Sequence, residues 1–262
     1  MMRQRLAMTG GQGFIGKEML NSRALQENYD IRVCDNLEDL RALGEWAYDA
    51  TLIHLAGRFY GTKDDLWASN VDFTRKIIRL FSSLGGRHLV FLSTGAVYGN
   101  TAHTSGSVED DPINPKNLYG QSKFLAEMIV DYEWGREGKA YHILRLPNVY
   151  GKNQRKGVIF SMQQRMLERG EVIIEGDGEQ RRDFLHVSDV LQAIEKVISV
   201  KAPSGIYNIS SHLTLTINQL VDQLFDGSHV RKIYRSDSNG LHELVLDISK
   251  ANRYLNFEPS VN

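Results

Sequence analysis

The chain has 262 residues, 42 % hydrophobic and 24 % charged, which fits one large α/β domain or two small ones and excludes disordered, collagen-like and coiled-coil readings. Its 31 Lys+Arg against 32 Asp+Glu give a net charge of −1, so the basic field needed for non-specific nucleic-acid binding is missing and a small-molecule partner is expected. The single cysteine, Cys34, has no mate for a disulfide and no apolar run approaches a membrane span, so the expectation is a cytoplasmic chain with no membrane partner.

Arg5 to Met8 reads as the end of a short strand, T-G-G-Q-G-F-I-G (Thr9 to Gly16) as a glycine turn, and Lys17 to Leu25 as a helix. Gly10 already belongs to that turn, which leaves no room for the apolar core of a signal peptide. A second extended run, Ile31 to Cys34, ends in Asp35, and a third, Ala50 to Leu55, ends in H-L-A-G (His54 to Gly57). Two more follow: His88 to Leu92 leads into S-T-G-A-V-Y-G, and Tyr141 to Leu146 into P-N-V-Y-G. Helical spacing covers Asn70 to Leu84 and Tyr119 to Trp134. Strands alternating with helices predict an α/β fold whose parallel sheet is covered on both faces. Beyond about Gly151 the sequence is more charged and irregular, with helices expected at Phe160–Arg169, Val187–Val197 and Ile217–Leu224, and it reads as a smaller lobe over the carboxyl ends of the strands.

Gly10, Gly13 and Gly16 follow a strand, open a helix, and precede an acidic residue, Asp35, at the end of the next strand. That context points to a dinucleotide site: glycines let the backbone approach a pyrophosphate at a helix N-terminus, and Asp35 can accept from ribose hydroxyls. Asp35 would also repel an added 2′-phosphate, and Asn36 and Leu37 bring no cation to replace it, so NAD is expected over NADP, with Arg41 and Arg58 keeping NADP as the alternative. Tyr119 and Lys123, at i and i+4, share a helix face. Free tyrosine titrates near ~10. A lysine charge at ~4 Å and an effective dielectric of ~20 is worth about 4 kcal/mol, or roughly 3 pKa units, enough to make the phenol a general base near neutral pH. The eight histidines show no ligand spacing, so no metal is expected, and His54 and His186 read as structural. The three tryptophans show no stacking pattern for single-stranded nucleic acid.

The spacing G-x-x-G-x-x-G, with Asp39-Leu40, H-L-A-G, Asn70-Val71, S-T-G-A-V-Y-G (Ser93 to Gly99), Y-G-Q-S-K (Tyr119 to Lys123), R-L-P-N-V-Y-G (Arg145 to Gly151), R-D-F-L-H-V-S-D (Arg182 to Asp189), G-I-Y-N-I and D-I-S-K-A, resembles the extended short-chain dehydrogenase/reductases, the NAD-dependent epimerase/dehydratase group typified by UDP-glucose 4-epimerase. The resemblance runs from Thr9 to about Pro259. It implies a Rossmann-type doubly wound sheet over residues 1–150 with a smaller, interleaved substrate-binding lobe over 151–262. It implies a catalytic set of Thr94, Tyr119 and Lys123. Cofactor contacts would come from the glycine loop with Phe14 and Ile15, from Asp35, Asn36, Asp39 and Leu40, from Leu55, Ala56 and Gly57, and from Asn70, Ser93 and Pro147. Asn148, Arg182 and Arg235 would meet a nucleotide-sugar substrate, guanidinium groups suiting phosphate oxygens. A homodimer through the helices Asn70–Leu84 and Tyr119–Trp134 is implied as well.

Dehydratases of the group carry an acid after the catalytic Thr or Ser; here Gly95 and then Ala96 follow Thr94, which disfavours elimination and leaves epimerisation ahead of keto-sugar reduction. Two departures from the pattern are expected to matter. Only three residues separate Asp35 from Asp39, too few for a crossover, so an edge unit of the sheet should be missing and a short loop should close the adenine site. The sequence ends at Asn262, where relatives continue into a further helix, so the pocket should be more open.

Overall fold

A computed structural model describes residues 3–100, 105–211, 213–225, 230–236 and 243–261. The first half runs β1 (Gln4–Thr9), α1 (Phe14–Asn21), α2 (Arg23–Asn28), β2 (Tyr29–Val33), α3 (Leu37–Ala42), β3 (Thr51–His54), α4 (Lys63–Trp67), α5 (Phe73–Ser83), β4 (His88–Thr94), α6 (Leu118–Ile129), β5 (Ala140–Leu146) and β6 (Asn148–Tyr150). The second half runs α7 (Val158–Arg169), β7 (Glu171–Glu175), β8 (Arg181–His186), α8 (Val187–Ser199), β9 (Gly205–Asn208), β10 (Thr214–Thr216), α9 (Ile217–Leu224), β11 (Arg231–Arg235), β12 (Glu243–Leu244) and α10 (Ser249–Leu255).

Six strands form the main sheet in the order β2-β1-β3-β4-β5-β9, every neighbouring pair parallel. The chain moves from β1 outward to β2 and then back across to β3, so the strand order reverses beside β1, the place where such sheets open a crevice for a ligand. The sheet ends at β2, which bears out the missing edge unit. In place of the expected loop, the bridge from β2 to β3 begins with the short helix α3, because the Asn36 side chain accepts from the Asp39 amide and caps it. The single helix expected over Lys17–Leu25 is divided at Ser22, whose hydroxyl accepts from the Leu25 amide and starts α2 afresh.

One buried face of the sheet packs Leu6, Met8, Ile53, Val90 and Leu144 against α1, α8 and α10. The other packs Ala7, Leu52, Leu89, Phe91 and Ile143 against α3, α5 and α6, where Trp134 stacks on Phe81. This double covering is what the near-continuous apolar strands require. The smaller lobe has its own core, Met162, Val172, Ile174, Phe184, Leu215, Leu220 and Val221, with Met166 packed against it. That lobe does not hold all of residues 151–262: β9 completes the main sheet, and α8, α10 and Phe257 pack in its core.

Candidate active site

The carboxyl ends of β3, β4 and β5 and the start of α1 border a cavity of about 330 Å³ that residues of the smaller lobe line from the other side. The glycine loop lies beside it. Gly10 takes φ +79°, and a Cβ there would come within 2.7 Å of the Ala56 amide nitrogen; at Gly16 a Cβ would come within 2.2 Å of the Gly10 carbonyl oxygen. Only glycine fits either place, so the loop crosses the β1 and β3 termini tightly and delivers the start of α1 to the crevice. Gly13 is the N-cap of α1 and supplies no side-chain cap, so the first-turn amides are not satisfied by it. These features form a cradle that fits a dinucleotide pyrophosphate. Asp35 is exposed, and its Oδ1 accepts from the Gly10 and Gly11 amides at 2.7 and 2.9 Å, tying the loop to the end of β2.

Not every expected cofactor contact faces this cradle. Leu40 is fully buried in the core between α3 and the sheet, and Asp39 Oδ2 accepts from the Asp35 amide and the Asn36 side chain. Ile15, Leu55, Gly57, Ser93 and Pro147 line the cavity, while the Ala56 amide donates to Thr9 Oγ1 at 3.3 Å. Asn70 sits in a π-turn, Ala68–Asp72, between α4 and α5. Its side chain accepts from the Arg58 amide at 2.7 Å and donates to the Arg58 carbonyl and to Ser122 Oγ, so it clamps the loop after β3 to α6. Ser93 turns its hydroxyl inward to Glu127.

The catalytic candidates do converge. Asn117 caps α6 by accepting from the Gly120 amide at 2.8 Å, which places Tyr119 in the first turn and Lys123 one turn on, both lining the cavity. Thr94, the last residue of β4, accepts from the Ala96 amide and hydrogen-bonds the Tyr119 phenol. Burial pushes Tyr119 up to about 12, with the Thr94 hydrogen bond pulling the other way, and pushes Lys123 down to about 7, with Glu127 opposing. The strong lowering expected of Lys123 on Tyr119 is therefore not what governs the phenol in the chain by itself; burial is. Lys123 Nζ lies 4.1 Å from the Phe91 ring centroid and close under Gly57.

Asn148 and Arg182 line the cavity, Asn148 donating to the Asp183 carbonyl at 3.3 Å. Arg235 does not line it; it is exposed at the end of β11, opposite Glu175, and Asp237 of the same Y-R-S-D stretch lies outside the described residues. Reading the sequence missed Phe59, Asn117 and Lys156 as cavity residues, and it weighed Arg58 only as a possible phosphate partner. Two adjacent aromatics, Phe59-Tyr60, in a polar loop after H-L-A-G were the available signal. Among the described residues the cavity is lined by Arg58, Lys123, Lys156 and Arg182 and by no Asp or Glu. His54 is structural: buried between Thr9 and Thr74 hydroxyls, it is held down at about 3 by burial and by the Lys123 charge. His186 caps α8. Among the described residues no group of three or more His, Cys, Asp or Glu could hold a metal, and no helix is long and apolar enough to cross a membrane.

The model of the NAD dependent epimerase/dehydratase family matches residues 6–210. A Methanocaldococcus jannaschii protein provisionally named UDP-glucose 4-epimerase is 28 % identical over 291 residues, covering 98 % of this chain and 94 % of the relative. The GDP-6-deoxy-D-mannose reductase of Pseudomonas aeruginosa is 28 % identical over 254 residues, covering 87 % and 82 %. The structure of MoeE5 with UDP-glucuronic acid and NAD superposes with a TM-score of 0.87 at 24 % identity, over 98 % of this chain and 94 % of that one.

Proposed function

Because the chain belongs to the NAD dependent epimerase/dehydratase family, we propose that it is a nucleotide-sugar epimerase working by reversible hydride transfer at a sugar carbinol, with Thr94, Tyr119 and Lys123 as its catalytic set. The observation that carries this reading is the cavity's lining: Thr94 at a strand end, Tyr119 beside it, and four basic side chains, Arg58, Lys123, Lys156 and Arg182, with no Asp or Glu among the described residues. The cations suit a nucleoside diphosphate, Arg182 binding it with Asn148 beside it. Glycine in the place after Thr94, with no Asp or Glu among the described residues that line the cavity, argues against elimination of water, and a Cβ at Gly95 would meet the Leu246 side chain at 3.0 Å, so a larger residue there would require Leu246 to shift.

NAD, held by the glycine loop and by Asp35 on its adenosine ribose, supplies the hydride acceptor when bound. Tyr119 removes the proton from the sugar hydroxyl and returns it in the reverse step. Thr94 donates to the same oxygen and fixes its place. Lys123, under Gly57, adds positive charge that lowers the phenol once the site is filled, and its own downward shift shows how strongly burial weighs against that charge. The protein acts as a cytoplasmic homodimer through α5, α6 and the turn Val130–Trp134 that follows α6, where Met128 of α6 and Tyr132 of that turn are 52 % and 62 % exposed.

Reduction of a nucleotide-linked keto sugar is the second reading, favoured by one observation: Asp35 and Asn36 are exposed at the end of the sheet's edge strand, where a dinucleotide could exchange between turnovers. Tyr119→Phe tests the proton chemistry common to both. Hydride transfer should be lost and NAD affinity kept, while Lys123→Ala should weaken both; wild-type turnover in Tyr119→Phe refutes the acid-base assignment.

A further inference from the structure

Phe59 stands at the mouth of the cavity with half its surface exposed, and it belongs to none of the buried apolar clusters. Its ring is nonetheless held between two aromatic edges, 4.6 Å from the Tyr60 centroid and 4.6 Å from the Tyr119 centroid, the second pair inclined at 71°. Edge-to-face contact at this spacing is the favoured arrangement of aromatic rings and restrains the orientation of both. The loop carrying Phe59 is fixed at each end. Asn70 clamps the Arg58 backbone on one side, and on the other Thr62 and Asp65 form a reciprocal cap on α4, which also holds Arg58 through an ion pair at 3.3 Å.

We propose that Phe59 is a positioning residue for Tyr119: its ring lies edge-to-face on the phenol ring, fixes the angle at which the phenol meets the substrate oxygen, and keeps water off that side of the ring. The proposal rests on Tyr119 being the acid-base group. The same geometry explains why a large aromatic is left half exposed at a polar rim. Its contacts are toward the cavity, and it lies outside the buried apolar clusters.

The other ionisable side chains that line the cavity are Lys123 on α6, Arg58 on the Phe59 loop, and Lys156 and Arg182 from the smaller lobe, and Tyr60 packs on Phe59 from its other side; a substitution at Phe59 leaves the identity of each unchanged. The main influence on Tyr119 that Phe59 can change is therefore exclusion of water, which raises the phenol. The test places difluorotyrosine at position 119, where its lower intrinsic titration range keeps the protein folded, and follows the phenol by ¹⁹F NMR in the NAD-loaded chain.

Phe59→Ala and Phe59→Leu should both lower the midpoint, Phe59→Tyr should hold it, and NAD affinity should stay unchanged throughout. If Phe59→Ala fails to fold, Phe59→Leu alone decides. An unchanged midpoint in Phe59→Leu, or an equal fall in Phe59→Tyr, overturns the proposal. Neither readout uses turnover, so failure of the epimerase reading would appear in the sugar assay and not here.

Discussion

Glu127→Ala should be among the most damaging single substitutions in the chain although it touches no substrate. Glu127 and Arg145 are 3 % and 2 % exposed as side chains, and they pair through Arg145 Nη2 at 2.7 Å with Nε also within 3.3 Å. Ser93 donates to the same carboxylate, and the guanidinium stacks 4.7 Å from the Tyr98 ring centroid. Removing the carboxylate leaves a buried cation whose remaining partners include the Glu109 carbonyl at 3.4 Å. Breaking one side of such a pair costs about 3–5 kcal/mol, because the lost attraction no longer offsets desolvation of the charge left behind. Replacing both partners by apolar residues of similar volume is typically neutral or stabilising by about 1–4 kcal/mol. Urea unfolding of Glu127→Ala, Arg145→Met and Glu127→Leu/Arg145→Met should therefore show two large single losses and a double loss well below their sum. A Glu127→Ala loss below about 1 kcal/mol, the range of solvated surface pairs, would refute the claim that this charge is enclosed.

Asp35→Ala should weaken NAD binding and relax discrimination against NADP, since one carboxylate both ties the glycine loop and repels a 2′-phosphate; calorimetric titration with each dinucleotide checks it, and tighter NADP binding by the unmodified chain would contradict it. Stability should fall in acid because His54 and His88 are held at about 3 and His142 at about 4, mainly by burial, against about 6.5 when unfolded. With folded values lowered, the unfolded chain takes up more protons from about pH 6.5 downward, so this stability is present above 6.5 and lost toward pH 4. Denaturant midpoints over that range measure the slope, and a flat profile would show these imidazoles to be solvated.

Five of the main sheet's six strands were legible because they are short apolar runs leading into recognisable motifs; β9 was not, because it returns to the sheet from the half that reads as the smaller lobe. The mere three residues between Asp35 and Asp39 foretold the missing edge strand. What local pattern could not show was the destination of each polar side chain. Asp39 and Asn36 satisfy each other at the start of α3, and Leu40 turns into the core, because a six-residue helix in a tight bridge needs a cap and one apolar anchor. The Asn70-Val71 motif is visible in the sequence, but the work of Asn70 in holding Arg58 to Ser122 depends on a π-turn that periodicity does not announce. Glu127 lies one turn beyond Lys123, so its place on the inner face of α6 was readable; its partner Arg145 comes from a strand and was not. Arg235 sits in a stretch that matches the family poorly, and it is the substrate candidate that the fold leaves outside the cavity.

The central claim is most directly tested by following a labelled hydrogen. The chain should be incubated in catalytic amount with UDP-, GDP-, dTDP- and CDP-hexoses carrying deuterium at C4, and the products read by NMR and mass spectrometry. The account predicts that one member of the panel converts to its C4 epimer with the deuterium retained on C4 and no net change in NADH absorbance. Stoichiometric oxidation of added NADH by a 4-keto nucleotide sugar, with no epimer formed from any member, would contradict it in favour of the reductase.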